Sequence, residues 1–165
     1  MVRVEAVLDT WKAIREDTAQ AVIDMPDLEF QPTPELMKFR DLAVHVLNSS
    51  HALAALLLNG VDDMTTPDFR ERLAKHFLKV EPGASAATIA AALNETLGQD
   101  SERFRAQPAE FWSQMMTKFD GQRVTRLEMT QFLKEHELTH RAQMFMYLRL
   151  KGIVPPTTRR KLAPK

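Results

Sequence analysis

The stretch from Thr125 to Gly152 constrains this chain more than any other. Thr125 followed three residues later by Glu128 is a capping-box pattern, which satisfies two orphan backbone donors at a helix start. No proline or glycine interrupts the chain until Gly152, and Pro155-Pro156 lies just beyond, so a helix is predicted to run to about Lys151. That is roughly 26 residues, or about 39 Å at 1.5 Å per residue.

Three further long helices are predicted. The first spans about Val4 to Ile23, with Val4, Leu8, Trp11, Thr18 and Val22 at helical spacing. The second is expected to open at Thr33-Pro34, a capping residue followed by proline at the first helical position, and to close at Asn59-Gly60. It is apolar nearly all round from Ala52 to Leu58, so it should be central. The third covers about Ser85 to Phe104 and is rich in alanine. Between the second and third lies an excursion, about 60–82, in which Thr66-Pro67 opens a short helix carrying Phe69, Leu73, Phe77 and Leu78. A loop with Phe111, Trp112 and the turn Asp120-Gly121 precedes the last helix. Long helices without a convincing alternating strand imply one all-α domain, residues 1–165, built as a helical bundle. A flexible basic tail, about 157–165 with Arg159, Arg160, Lys161 and Lys165, is expected to fray into solvent.

Charge narrows the function. Lys plus Arg and Asp plus Glu each number 22, which argues against a nucleic-acid binder working by bulk charge. There is no cysteine, so disulfides, thiolate nucleophiles and Cys-based zinc sites are excluded, and a reducing, cytoplasmic setting fits. The N-terminal residues form no apolar signal region, and no apolar run is expected to span a bilayer.

The chemistry lies in five histidines: His45, His51, His76, His136 and His140. His136 and His140 sit four apart, on one helix face shared with Met129, Phe132, Leu133, Gln143 and Tyr147. Two imidazoles on an inward face need polar partners, and a shared metal ion supplies one. The bland alternative is a pair of core histidines satisfied by hydrogen bonds. The same residues spell His136-Glu137-Leu138-Thr139-His140, the short zinc-metalloprotease pattern. Such proteases take a third ligand from further along the chain, and no Asp, Glu or His follows His140. Glu137 is also turned about 100° from His136, which points it to an interhelix, supporting or solvent contact. The third ligand is therefore sought upstream. His45 shares its face with Leu42, Ser49, Ala52 and Leu56, whereas His51 is about 120° away around the helix, so His45 is preferred. His51 is read as a surface, core or pocket residue, and His76, among Arg70, Arg72 and Lys75, as solvated.

At these positions the sequence resembles the DinB/YfiT-like family. A histidine after Leu42-Ala43 in the second helix precedes a His-x-x-x-His pair in the last. The pair is followed by Arg141-Ala142-Gln143, Tyr147-Leu148-Arg149, Gly152 and Pro155-Pro156. Trp11 to Arg15 and Thr18 also look like the family's first helix, while Gly60 to Pro82 departs from its pattern. The resemblance implies a four-helix bundle with up-down-down-up connectivity. It also implies a divalent metal (zinc, nickel or iron) on His45, His136 and His140. Relatives perform transfer or isomerisation with low-molecular-weight thiols, or are called metal-dependent hydrolases without an assigned reaction, and many form homodimers. The expectation for this chain is thus a metal-dependent enzyme on a small molecule, of thiol S-transferase or hydrolase type. It acts as a homodimer through the first or third long helix, with no nucleic-acid or membrane partner. Gln143 and Tyr147, one and two turns past His140, are the candidates to orient substrate or a ligand histidine. The alternative is a non-catalytic dimeric module that binds a metal or another ligand.

Overall fold

The computed structural model describes residues 3–163. Four long helices dominate: α1 (Val4–Asp24), α2 (Phe39–Leu58), α4 (Ala86–Arg105) and α6 (Arg126–Leu150). Shorter elements complete the chain: α3 (Phe69–Ala74), α5 (Ala109–Ser113), β1 (Met115–Thr117), β2 (Arg123–Thr125) and α7 (Pro156–Leu162). Each of α1 and α2 packs against both α4 and α6, so α1 lies diagonally across from α2. Cross-helix pairs set the directions. Arg105 on α4 reaches Glu5 and Asp9 while Arg15 reaches Leu93, so α1 and α4 are antiparallel. Glu137 lies by Arg15 and Arg141 by Asp17, so α1 and α6 run together. Arg40 contacts Ala84 and His51 contacts Asp100, so α2 and α4 also run together. The connectivity is up-down-down-up.

A buried polar layer divides the core. One apolar cluster includes Val22, Phe39, Leu47, Ile89, Leu93 and Leu148; the other includes Leu8, Trp11, Leu57, Leu97, Phe104, Met129 and Leu133. Between them the Arg15 side chain, 2% exposed, meets Glu137, 0% exposed. Arg15 Nε and Nη2 donate to the two Glu137 carboxylate oxygens at 2.6 and 2.8 Å. Nη2 also donates to Ser50 Oγ at 2.7 Å, and Nη1 to the Leu93 carbonyl at 2.5 Å. Trp11 Nε1 donates to Glu137 Oε2 at 2.6 Å. All four long helices thus contribute to one network. A buried charge pair is tolerable only when its remaining donors and acceptors are met, as they are here.

The long helices begin and end largely where the sequence places them. Thr125 and Glu128 form the full capping box, Ser85 caps α4 through the Thr88 amide, and Gly152 takes φ 75° at the end of α6. Three expectations about the elements need correction. First, α2 opens at Phe39, not at Pro34. Thr33 closes a single turn with the Leu36 amide, and the chain then crosses the bundle end. There the Phe39 and Arg40 amides donate to the Phe30 and Leu28 carbonyls at 2.9 and 2.8 Å, so backbone from the loop does the work of a cap. Second, the loop before α6 contains a β-hairpin, Met115↔Thr125 to Thr117↔Arg123. Thr117 also bonds the backbone of Asp62 and Met64, tying the hairpin to the excursion. Three-residue strands carry too little alternation to show in sequence. Third, the expected frayed tail is helical up to Leu162, within α7, because Arg160 binds the buried Asp17 carboxylate at 2.5 and 3.0 Å and Arg159 binds Asp24 at 2.8 Å. Lys165 lies outside the described residues.

α2 is also the one described helix long and apolar enough to cross a membrane by length and composition. Arg40, Asp41, His45, Asn48 and His51 interrupt it, and most of it is buried among the other helices, as befits the core helix of a bundle. The outer faces do not match the expected association surface. α4 carries no exposed large apolar side chain among the described residues and α1 only Ile23, whereas Met146, Leu150, Val154 and Leu162 are exposed along the end of α6 and α7.

Removing one partner of a buried ion pair costs about 3–5 kcal/mol. Glu137→Ala is expected to destabilise by that amount in chemical denaturation, against about 1 kcal/mol for Glu128→Ala at the exposed capping box. Equal losses would show that the polar layer is not the stabilising centre.

Candidate metal centre

The three nominated histidines come together. His45 projects from the middle of α2, and His136 and His140 from adjacent turns of the antiparallel α6. One ring nitrogen from each lies within 4.8 Å of the other two. The ring centroids stand 5.3 Å (His45–His136), 4.8 Å (His45–His140) and 4.4 Å (His136–His140) apart, all at steep interplanar angles. Each histidine is partly buried.

The register that creates this cluster comes from the polar layer. Glu137 is fixed by Arg15 and Trp11 on one side of α6, and its neighbour His136 must then face α2. Glu137, the residue that would activate water in the metalloprotease pattern, is fully buried and accepts three hydrogen bonds from α1. No Asp or Glu among the described residues joins the histidine cluster. The protease reading fails on both counts.

The donor set fits a divalent metal. Burial, assisted by the neighbouring His140 and His45, lowers the His136 pKa from 6.5 to about 4. Burial and His140 lower that of His45 as well. Near pH 7 these two imidazoles are neutral, the form that binds metals. His140 Nδ1 lies 2.7 Å from Gln143 Oε1. With the amide oxygen accepting, Nδ1 carries the proton and Nε2 keeps its lone pair. That Nε2 is 3.0 Å from His136 Nε2. Two lone pairs cannot face each other at that distance, so a proton or a cation must lie between them. Nitrogens bound to one tetrahedral zinc are about 3.3 Å apart, so the cluster needs only small side-chain adjustments to hold one.

The other candidates separate clearly. Gln143 takes the orienting position on His140. Tyr147 is buried in the core, and its hydroxyl donates to the Met37 carbonyl at 3.0 Å, holding the α1–α2 loop. His51 leaves the cluster and pairs with the buried Asp100 across the α2–α4 seam, Nδ1 to Oδ2 at 2.8 Å. His76 follows α3 and is half-buried. Arg15 was not foreseen, although it falls in the stripe Leu8, Trp11, Thr18 and Val22 at the i+4 position from Trp11. A charged residue in register with an apolar stripe was the available signal.

His45 also borders two cavities. One, of about 830 Å³, lies towards α3 and the hairpin. The other, of about 760 Å³, lies towards the start of α2 and Pro82. Leu73 and Phe77 line both. The excursion is therefore the wall of the site. Thr117 holds its first end, and the Leu78 amide, donating to Asn48 Oδ1 at 2.9 Å, holds the second.

Bundle and site together define a four-helix protein with a three-histidine cluster on two antiparallel helices. The chain belongs to the DinB family, whose sequence model matches residues 1–164. Solved structures agree on the fold. YfiT from Bacillus subtilis, described as "a probable metal-dependent hydrolase with an unusual four-helix bundle topology", superposes with a TM-score of 0.69 at 19% identity, over 93% of this chain and 91% of its own. The DinB-like protein YjoA of the same organism gives 0.68 at 17% identity, over 89% and 92%. The mycothiol-dependent maleylpyruvate isomerase, as an H52A mutant, gives 0.64 at 14% identity, over 87% of this chain and 61% of its own. No curated protein matches by sequence.

The lowered His136 pKa has a definite sign. Between pH 6.5 and about 4 the unfolded chain takes up a proton at this residue that the folded, metal-free chain does not. Stability is therefore complete above pH 6.5 and falls as pH drops towards 4. Denaturation of metal-free protein across this window should show the slope, and His136→Asn should reduce it. An unchanged slope in the variant would assign it to other groups.

Proposed function

We propose that this protein is a divalent-metal-dependent enzyme acting on small molecules, with His45, His136 and His140 as the metal ligands. The observation that carries the reading is the convergence of three imidazole nitrogens, with no carboxylate, beside two cavities. A divalent ion held by three neutral ligands keeps its full charge, and supplies Lewis acidity and a lowered pKa to a bound water or thiol. The residues of the chain do the rest. His45 and His136 stay unprotonated near neutral pH because they are partly buried. Gln143 fixes the tautomer of His140 and aims its Nε2 at the cluster. Glu137 sets the register of α6 and takes no proton from substrate, because Arg15 and Trp11 occupy its oxygens.

Two reaction types suit such a site: hydrolysis, and attack by a thiol on an electrophile. The names of YfiT and of the mycothiol-dependent isomerase point in the same two directions. The chain has no cysteine, so any reacting thiol comes from outside. The absence of a carboxylate among the clustered histidines favours thiol transfer, in which a bound thiol needs no strong general base. The protein is further proposed to work as a homodimer in the cytoplasm, its exposed apolar residues on α6 and α7 covered by the second copy. Light scattering showing a monomer at high concentration would remove that part.

The decisive comparison is wild type against His140→Ala, each titrated calorimetrically with zinc, nickel and iron(II). The wild type is expected to bind one ion per chain, and the variant at least about 100-fold more weakly, as for loss of a direct ligand. Both are then assayed with small esters and with low-molecular-weight thiols plus electrophiles. Turnover confined to the metal-loaded wild type supports the enzyme reading. A steep loss of stability on metal removal, with no turnover on any substrate, makes the metal structural.

A further inference from the structure

The cavity between His45, α3 and the hairpin has a distinctive lining. Phe69, Leu73 and Phe77 come from the excursion, and Phe119 from the hairpin turn. The rings of Phe69 and Phe119 are stacked, with centroids 6.4 Å apart and planes 23° from parallel. Phe119 meets Phe132 at 5.7 Å, and Phe132 leans on His136 at 6.3 Å. An unbroken aromatic run therefore joins the cavity to the histidine cluster. Phe77 and Phe119 remain 48% and 46% exposed. Two large apolar rings open to one cavity, beside a candidate reaction centre, mark a surface that a ligand covers.

The charge is equally selective. Arg70 is the one fully charged side chain lining this cavity; it is exposed and has no ion-pair partner among the described residues. The neighbouring cavity differs, since its Lys38 and Arg40 are both bound to Glu29, at 3.0 and 2.7 Å. Of the two cavities beside His45, the aromatic one alone offers a positive charge unmatched among the described residues. Its volume of about 830 Å³ has room for a one- or two-ring molecule.

We infer that this cavity is the subsite for an aromatic, singly anionic small molecule, its ring against Phe69, Phe77 and Phe119 and its anionic group towards Arg70, with the reacting end at the histidines. The inference rests on the histidines being the reaction centre, and it names the class of substrate that reaches them. Flat rings pack edge-to-face or offset against phenylalanine better than saturated rings do. The guanidinium group pairs with a carboxylate, phosphate or sulfonate in two-point fashion.

The probe is 2-naphthoate, compared with its neutral amide and with the saturated decahydro acid, titrated into metal-free protein by calorimetry. The acid is expected to bind about threefold more tightly than the amide, the modest gain of an exposed ion pair. It should bind about fivefold more tightly than the saturated acid, the gain from aromatic contact. Phe119→Ala should weaken naphthoate about fivefold, and Arg70→Gln should remove the preference for acid over amide. Both positions are exposed, and thermal melts will verify that the variants fold. Cobalt(II) loaded at the histidines should broaden the naphthoate ring protons in NMR. No binding, unchanged affinity in Phe119→Ala, equal affinity for acid and amide, or unbroadened signals with cobalt bound each overturns the inference. If cobalt fails to bind at all, the metal reading fails on its own, and the metal-free titrations still decide the chemistry of the cavity.

Discussion

The bidentate contact between Arg15 and Glu137 governs this molecule. It lies at the waist of the bundle, and through Ser50, Leu93 and Trp11 it engages every long helix. Hydrophobic clusters above and below supply the bulk of the burial, but apolar contacts tolerate sliding and rotation. A carboxylate that accepts three directed hydrogen bonds does not. It fixes how far α6 is advanced along α1 and how it is rotated. His136 is the residue just before Glu137 and His140 lies about one turn on, so the pair receives its orientation from a contact on the other side of the helix.

Much of this could be read from the residues alone, for identifiable reasons. Thr125–Glu128 and Gly152 mark α6 because capping chemistry is local. His136 and His140 declare themselves because a spacing of four leaves no doubt about a shared face. Helical angle separates His45 from His51, and His51 turns away to Asp100. The losses were non-local. Thr33-Pro34 is a sound helix-start signature, but Phe30 and Leu28 supply the backbone acceptors that start α2 five residues later. Arg160 looked like tail charge until Asp17, some 140 residues upstream, gave it a partner. The partnership of Glu137 with Arg15 spans a similar distance, and a charge whose partner is remote looks solvated.

The histidine cluster and its surroundings also obey different rules. The three histidines stand on two rigid, antiparallel helices, whose geometry follows from the core. The cavity walls come from the excursion and the hairpin turn, held by a few backbone bonds at Thr117 and by Asn48. The histidines and the cavity walls thus come from separate parts of the fold.

That separation follows from topology. Because α2 and α4 run in the same direction, the chain leaving Leu58 must travel back along the bundle before it can begin Ala86. A direct hairpin turn is impossible here. The returning strap has to pass over some face, and the face it crosses contains His45. Val61 and Met64 of the strap belong to a core cluster, and Phe69, Leu73, Leu78 and Val80 pack against one, so the strap is bound into the fold along most of its length. Phe69 and Leu73 carry both duties, packing on the core with one side and lining the cavity beside His45 with the other, so a change in the wall is felt in the stability of the bundle.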